Sequence, residues 1–98
     1  MASRVELLYF DGCPNVEATR HAVKAIAEGV DVRMVLVETP ADAERLRFLG
    51  SPTVRVDGRD IEPGADERSD YALACRVYRT VDGVSGTPDI SWLHAALK

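Results

Sequence analysis

The chain has 98 residues, the size of a single domain, so we expect one domain spanning residues 1–98. Hydrophobic residues make up 46% and charged residues 29% of the sequence, which excludes a disordered or collagen-like chain. The net charge is −4 and there is no basic stripe, so we expect no nucleic-acid partner. No apolar run reaches the ~20 residues of a membrane span, so we expect no membrane partner. The N-terminus has no secretion-signal pattern, so we expect a cytoplasmic protein.

The first third of the chain predicts a β-α-β unit. Residues 5–10 are almost continuously apolar, which is typical of a strand covered on both faces. Pro14 suits the first position of a helix, and residues 15–28 place apolar side chains near a helical period before Gly29. Residues 30–37 then predict a second strand, which runs parallel to the first because a crossover helix joins them.

The middle of the chain predicts a second helix followed by a β-hairpin. Thr39 and Pro40 fit the N-cap and the first position of a helix that ends at Gly50. Residues 53–56 are typical of a short strand, and the Asp-Gly pair after them is a strong hairpin signal. The second strand of that hairpin should cover residues 59–61.

The last third is less regular. Residues 62–70 are acidic and contain proline and glycine, so we expect an exposed loop there, whereas residues 71–80 fit either a helical turn or an edge strand. A second Thr-Pro pair at 87–88 predicts the start of a terminal helix. The resulting order, β-α-β-α-β-β-α, predicts an α/β fold: a mixed four-stranded sheet with helices on both faces and an inserted loop before the last helix.

Cys13 is the strongest candidate for a functional residue. It stands where the first predicted strand gives way to the first helix. The unpaired N–H groups and the dipole of a helix N-terminus stabilise a thiolate, which is the nucleophilic form of cysteine. The alternative interpretation is a small buried residue in a turn.

The residues around Cys13 also resemble a known family. Residues 7–14, Leu-Leu-Tyr-Phe-Asp-Gly-Cys-Pro, look like the strand and thiol turn of glutaredoxins, and Ser51-Pro52-Thr53 stands where the thioredoxin-like superfamily carries a cis-proline before its third strand. With Asn15 included, the turn is similar to that of small bacterial thioredoxin-like proteins, whose relatives can carry selenocysteine; some similar sequences bear an alkylmercury-lyase label. The resemblance implies a thioredoxin-like fold, with Cys13 as the redox cysteine and Pro52 as the substrate-facing cis-proline.

The chain departs from the two-thiol form of this motif. A second turn cysteine would stand at position 16, which is Val16, so no disulfide can form within the turn. An oxidised Cys13 would then be a mixed disulfide with a small thiol, a sulfenic acid, or a disulfide with Cys75. Cys75 is either a packing residue in an apolar Ala-Leu-Ala-Cys stretch or a resolving thiol that the long excursion before the last helix brings over Cys13.

Other residues have both a functional and a structural interpretation. Asp11 either moves a proton in thiol chemistry or is a turn residue before glycine. Arg76 either stabilises a thiolate or substrate carboxylate, or lies on an exposed strand face. His94 fits a partly buried packing position, and no spacing of cysteine and histidine resembles a zinc site. The candidate substrate-binding residues are Asp11, Pro14, Ser51, Pro52, Thr53 and Arg76.

Three functions follow from these residues. In the first, the protein is a cofactor-free thiol–disulfide oxidoreductase: Cys13 attacks a disulfide, peroxide or thiol-bound substrate, whether a small molecule or a protein, and Cys75 or an external thiol resolves the adduct. In the second, the thiols bind a soft metal such as mercury or copper or process organomercurials, since thiolates select soft cations. In the third, the protein is an interaction module whose chemistry has lapsed.

Overall fold

The computed structural model describes residues 4–97, which form an α/β fold around a mixed four-stranded sheet. The strands are β1 (Val5–Tyr9), β2 (Val32–Leu36), β3 (Thr53–Val56) and β4 (Arg59–Asp60), in the order β2-β1-β3-β4. β1 and β2 run parallel, whereas β1–β3 and β3–β4 are antiparallel pairs. The predicted mixed sheet and its Asp-Gly hairpin are confirmed.

Helices cover both faces of this sheet, as predicted. They are α1 (Val16–Ile26), α2 (Pro40–Arg45) and α3 (Ile90–Ala96). α1 and α3 pack on one face, against inward side chains of β1 and β3 such as Leu7 and Val54. On the other face Leu8, Ala43 and Phe48 are buried together beside α2. Because consecutive strand residues point to opposite faces, Leu7 and Leu8 each supply one of the two cores.

The start of α1 and the end of α2 differ from the predicted positions. Asn15 is the N-cap of α1, so Pro14 lies in the preceding turn and not at the first helical position. Thr39 caps α2 as predicted, because its hydroxyl accepts the N–H of Asp42 at 3.1 Å. The helix nevertheless ends well before Gly50.

A Schellman motif ends α2 early. Arg47 has a left-handed φ of 54°, and its N–H donates to the Glu44 carbonyl at 3.1 Å. The Phe48 N–H donates to the Ala43 carbonyl at 2.8 Å. This pair of bonds reverses the chain and turns an apolar side chain back onto the helix. Phe48 is fully buried, so its packing stops the helix where apolar periodicity alone would continue it.

The insertion before α3 contains short elements of its own. These are a 3-10 helix (Ala65–Glu67) and a separate two-stranded hairpin of β5 (Tyr78–Thr80) and β6 (Gly83–Ser85). The ambiguous stretch 71–80 has no helical turn and ends in β5. The predicted helix start at 87–88 is wrong: the Asp89 carboxylate caps α3 by accepting the Ser91 N–H at 2.9 Å. Within residues 4–97, no helix has both the length and the apolar character that crossing a bilayer requires.

Candidate functional site

Cys13 lies in the turn between β1 and α1, two positions before the helix N-cap. Its N–H donates to the Phe10 carbonyl at 3.4 Å, and its thiol donates to the Ser51 carbonyl at 3.6 Å. Only 9% of the residue is exposed. The predicted position at the strand-to-helix junction is confirmed, and the sulfur faces the chain that leads into β3.

That chain contains a cis peptide bond between Ser51 and Pro52, as the resemblance implied. Ser51, Pro52 and Thr53 are all buried. The Thr53 hydroxyl donates to the Gly50 carbonyl at 2.6 Å, so this side chain has an internal partner and does not face a ligand. Of the six predicted substrate-binding residues, Asp11 and Pro14 are exposed beside Cys13.

A second piece of chain, residues 74–76, pairs with Ser51 and is called the 74–76 segment below. The Ser51 N–H donates to the Ala74 carbonyl at 2.9 Å, and the Arg76 N–H donates to the Ser51 carbonyl at 2.9 Å. These bonds form a parallel bridge between Ser51 and Cys75. Gly50 permits the approach, because a Cβ on it would lie 2.9 Å from the Arg76 Cβ and its φ is 128°.

The 74–76 segment brings Cys75 to Cys13. Both cysteines are free, and Cys75 is exposed whereas Cys13 is buried. The pKa of the Cys75 thiol is raised, first by partial desolvation and then by the charge of Cys13 and a hydrogen bond to it. Ser51 thus contacts both cysteines, since it bridges to Cys75 and its carbonyl accepts the Cys13 thiol. The alternative of a buried packing role for Cys75 is wrong, because Cys75 is exposed.

Arg76 anchors the segment from the inside. Its guanidinium donates to Asp60 at 2.7 and 3.1 Å, to Glu62 at 2.7 Å and to the Thr53 hydroxyl at 2.9 Å. None of its side chain is exposed. Burial alone would lower the pKa of Arg76, but hydrogen bonds to Asp60 and Glu62 outweigh it and raise the pKa. Both sequence interpretations of Arg76, substrate binding and an exposed strand face, are corrected: it is an internal ion-pair residue.

Tyr78 fixes the other side of the cis-proline. Its hydroxyl donates to the Pro52 carbonyl, and burial raises the pKa of this phenol. The guanidinium of Arg76 lies 4.4 Å from the centroid of the Tyr78 ring, and the Trp92 ring packs 6.0 Å away on centroids. Sequence reasoning missed this inward role, although the alternation over residues 75–78 contained the signal: Arg76 and Tyr78 share one side of an extended chain.

The remaining predicted residues lie elsewhere. His94 is exposed on α3, so its predicted partly buried packing role is wrong. Glu62, predicted in an exposed loop, has a carboxylate that is only 15% exposed because it pairs with Arg76. Within residues 4–97, no group of three or more histidine, cysteine or acidic side chains is arranged to hold a metal ion. The site that the fold assembles consists of Cys13, Cys75 and the Ser51 backbone between them.

The chain was compared with protein-family models, with curated proteins and with solved structures, and none of the three comparisons found a significant match.

Proposed function

We propose that this protein is a thiol-dependent redox protein in which Cys13 and Cys75 form a reversible disulfide. One observation carries the proposal: the carbonyl that accepts the Cys13 thiol belongs to Ser51, and Ser51 is the bridge partner of Cys75. Two cysteines distant in sequence thus meet at one site, as a nucleophile and its resolving thiol must.

The chemistry is a two-electron exchange. The Cys13 thiolate attacks one sulfur of a disulfide RSSR; a Cys13–SR bond forms, the S–S bond of the substrate breaks, and RS⁻ leaves and is protonated. The Cys75 thiolate then attacks the Cys13 sulfur and releases the second RS⁻. The protein dithiol is oxidised to the Cys13–Cys75 disulfide, and RSSR is reduced to two thiols. A peroxide would instead give a Cys13 sulfenic acid, which Cys75 converts to the same disulfide with loss of water.

The asymmetry of the two thiols suits these roles. Partial desolvation and the neighbouring Cys13 raise the pKa of the Cys75 thiol, which disfavours the Cys75 thiolate while Cys13 is free. Cys13 lies two positions before the N-cap of α1 and is the buried member of the pair. A cysteine after β1 and a cis-proline before β3 in a mixed four-stranded sheet further support a thioredoxin-like fold.

Peptide mapping tests the proposal. The protein is treated with one equivalent of a small disulfide at neutral pH, the remaining thiols are alkylated, and the peptides are separated without reduction. We expect one linked pair of peptides containing Cys13 and Cys75. Cys13→Ser and Cys75→Ser are the matched controls, and each should yield only singly modified peptides. If the wild type also yields only singly modified thiols, the proposed redox pair does not exist.

A soft-metal site is the second candidate, and it rests on the same pair of sulfurs. With no third ligand among residues 4–97, the pair offers only two-coordinate binding, which suits Hg(II) or Cu(I). Metal uptake of one equivalent that either Cys→Ser variant abolishes, in a protein that does not form the disulfide, would favour this function. If the protein neither forms the disulfide nor binds the metal, the remaining candidate is an interaction module whose chemistry has lapsed.

A further inference from the structure

The main-chain position at which a peptide substrate would have to dock is closed. A peptide that pairs as a strand needs unpaired N–H and C=O groups beside the reacting sulfur. Ser51 lies at that position, because its carbonyl accepts the Cys13 thiol. Both its N–H and its carbonyl are already bonded to the 74–76 segment. The chain itself therefore occupies the place of an added strand.

The 74–76 segment is held at both ends. On one side the Ala72 N–H donates to the Phe48 carbonyl at 3.0 Å. On the other side the buried guanidinium of Arg76 is bonded to Asp60 and Glu62. A strand-shaped ligand must first break the Ala72 bond and the two bonds to Ser51, and local opening at that expense, about 3 kcal/mol, leaves about one molecule in 150 open. An opening that also breaks the ion pairs of Arg76 costs more free energy, so the open fraction would be smaller still.

The space that stays open near the thiols is small and largely apolar. A shallow cavity of about 240 Å³ lies where the end of β1 approaches the chain just before the 74–76 segment. Its walls are Phe10, Asp11, Leu36, Val37, Glu38 and Leu73. Asp11 precedes Cys13 by two positions and Leu73 precedes Cys75 by two positions, so residues close in sequence to each cysteine line the cavity. Apolar walls favour an organic group over a bare peroxide.

From these observations we infer that the substrate of the Cys13–Cys75 pair is a low-molecular-weight disulfide and not a disulfide within an extended polypeptide. The inference rests on the proposed function. It adds that the 74–76 segment excludes strand-shaped substrates while the neighbouring cavity holds one organic half of a small disulfide. The exchange itself is the one described above: the small disulfide gains two electrons and leaves as two thiols.

Two matched probes test the inference. One is the disulfide of N-acetylcysteinamide, and the other is the disulfide of a ten-residue uncharged peptide with the same cysteine at its centre. The rate of Cys13–Cys75 disulfide formation is measured with each probe by acid quenching and mass spectrometry. The rates with dithiothreitol correct for the intrinsic reactivity of the two probes. After that correction we expect the peptide disulfide to react about 150-fold more slowly, because it requires the open form.

Equal corrected rates, or a faster peptide disulfide, would overturn the inference and leave the proposed function intact. If neither probe produces the Cys13–Cys75 disulfide, the proposed function fails and the inference fails with it. A loosened variant gives a second measurement: Ala72→Pro removes the N–H that bonds to Phe48 and should reduce the difference in rate about fivefold.

The matched control for that variant is Ser69→Pro, which should leave the difference in rate unchanged. Ser69 is exposed, its N–H donates no hydrogen bond to any residue in 4–97, and Arg68 before it has the extended conformation that proline requires. An unchanged rate difference in Ala72→Pro, with the variant folded, would show that the 74–76 segment does not gate the site and would overturn the inference.

Discussion

Replacing Arg76 with methionine tests whether buried ion pairs hold the 74–76 segment beside the thiols. In the wild type the guanidinium makes bonds of 2.7 Å to both Asp60 and Glu62 while none of its side chain is exposed. The two carboxylates are themselves only 11% and 15% exposed. Arg76→Met keeps an unbranched side chain in the core but leaves the Asp60 carboxylate without its partner, and leaves Glu62 with only Arg68, at 3.4 Å.

The expected loss in the free energy of unfolding is about 3–5 kcal/mol, the usual result of removing one member of a buried ion pair. Most of this loss comes from the desolvated charges left behind and not from the attraction that was lost. Urea denaturation measures this loss, with the fluorescence of Trp92 beside Tyr78 as the signal. The slope of the free energy of unfolding against urea concentration should stay unchanged. The matched control is Arg79→Met: Arg79 is exposed in the same stretch, and its replacement should change stability by less than about 0.5 kcal/mol.

Neutralising Asp60 and Glu62 distinguishes the effect of unpaired charge on stability from the effect of changed packing around residue 76. In the Arg76→Met background, Asp60→Asn together with Glu62→Gln should recover at least half of the lost stability, because no buried charge then lacks a partner. Arg76→Met should also slow formation of the Cys13–Cys75 disulfide, since Cys75 loses its neighbouring anchor. A loss below about 1 kcal/mol in Arg76→Met, or no recovery in the triple variant, would refute the reasoning that charge compensation holds the segment.

Three further predictions concern the backbone and the thiols. Gly50→Ala should destabilise the protein by about 2–4 kcal/mol, because the strain of an alanine at positive φ adds to a clash of its Cβ with the 74–76 segment. The control Gly64→Ala, at a φ of 82° with open space around the new Cβ, should lose only about 1 kcal/mol in the same urea titration. Arg47→Gly should raise the free energy of unfolding by about 0.5–1 kcal/mol, because glycine accepts the left-handed φ of 54° without strain. Alkylation of Cys75 by iodoacetamide should rise at a higher pH than that of an unfolded cysteine peptide, because its pKa is raised; in Cys13→Ser that midpoint should move towards the peptide value.

Each of these has a contradicting result. Equal losses in the two glycine variants would show that the 74–76 segment does not press against Gly50. A loss of stability in Arg47→Gly would mean that the Arg47 side chain contributes more than its backbone costs. An alkylation midpoint for Cys75 that is unaffected by Cys13→Ser would show that the Cys13 thiol does not influence Cys75, which contradicts the contact that the proposed redox pair requires.

Local signals in the sequence were sufficient for most of the sheet. Residues 53–56 form β3 with the predicted bounds, because the Asp-Gly pair after them can adopt the two positive φ angles, 53° and 85°, that a tight hairpin needs. Thr39 capped α2 for an equally local reason, since its hydroxyl reaches an N–H three residues on. Helix ends were predicted less well, because the buried position of Phe48 and the competing cap at Asp89 are set by packing and by the neighbouring chain.

The sequence by itself determined that a cysteine stands between β1 and α1 and that a proline precedes β3, since both depend only on neighbours along the chain. Only the tertiary structure decided that Cys75 joins Cys13 and that Arg76 turns inward while Val77, an apolar residue, is 59% exposed. Hydrophobicity would have predicted the reverse. A guanidinium is stable in the interior only where carboxylates pair with it, and Asp60 and Glu62 lie next to Arg76 only after the chain has folded.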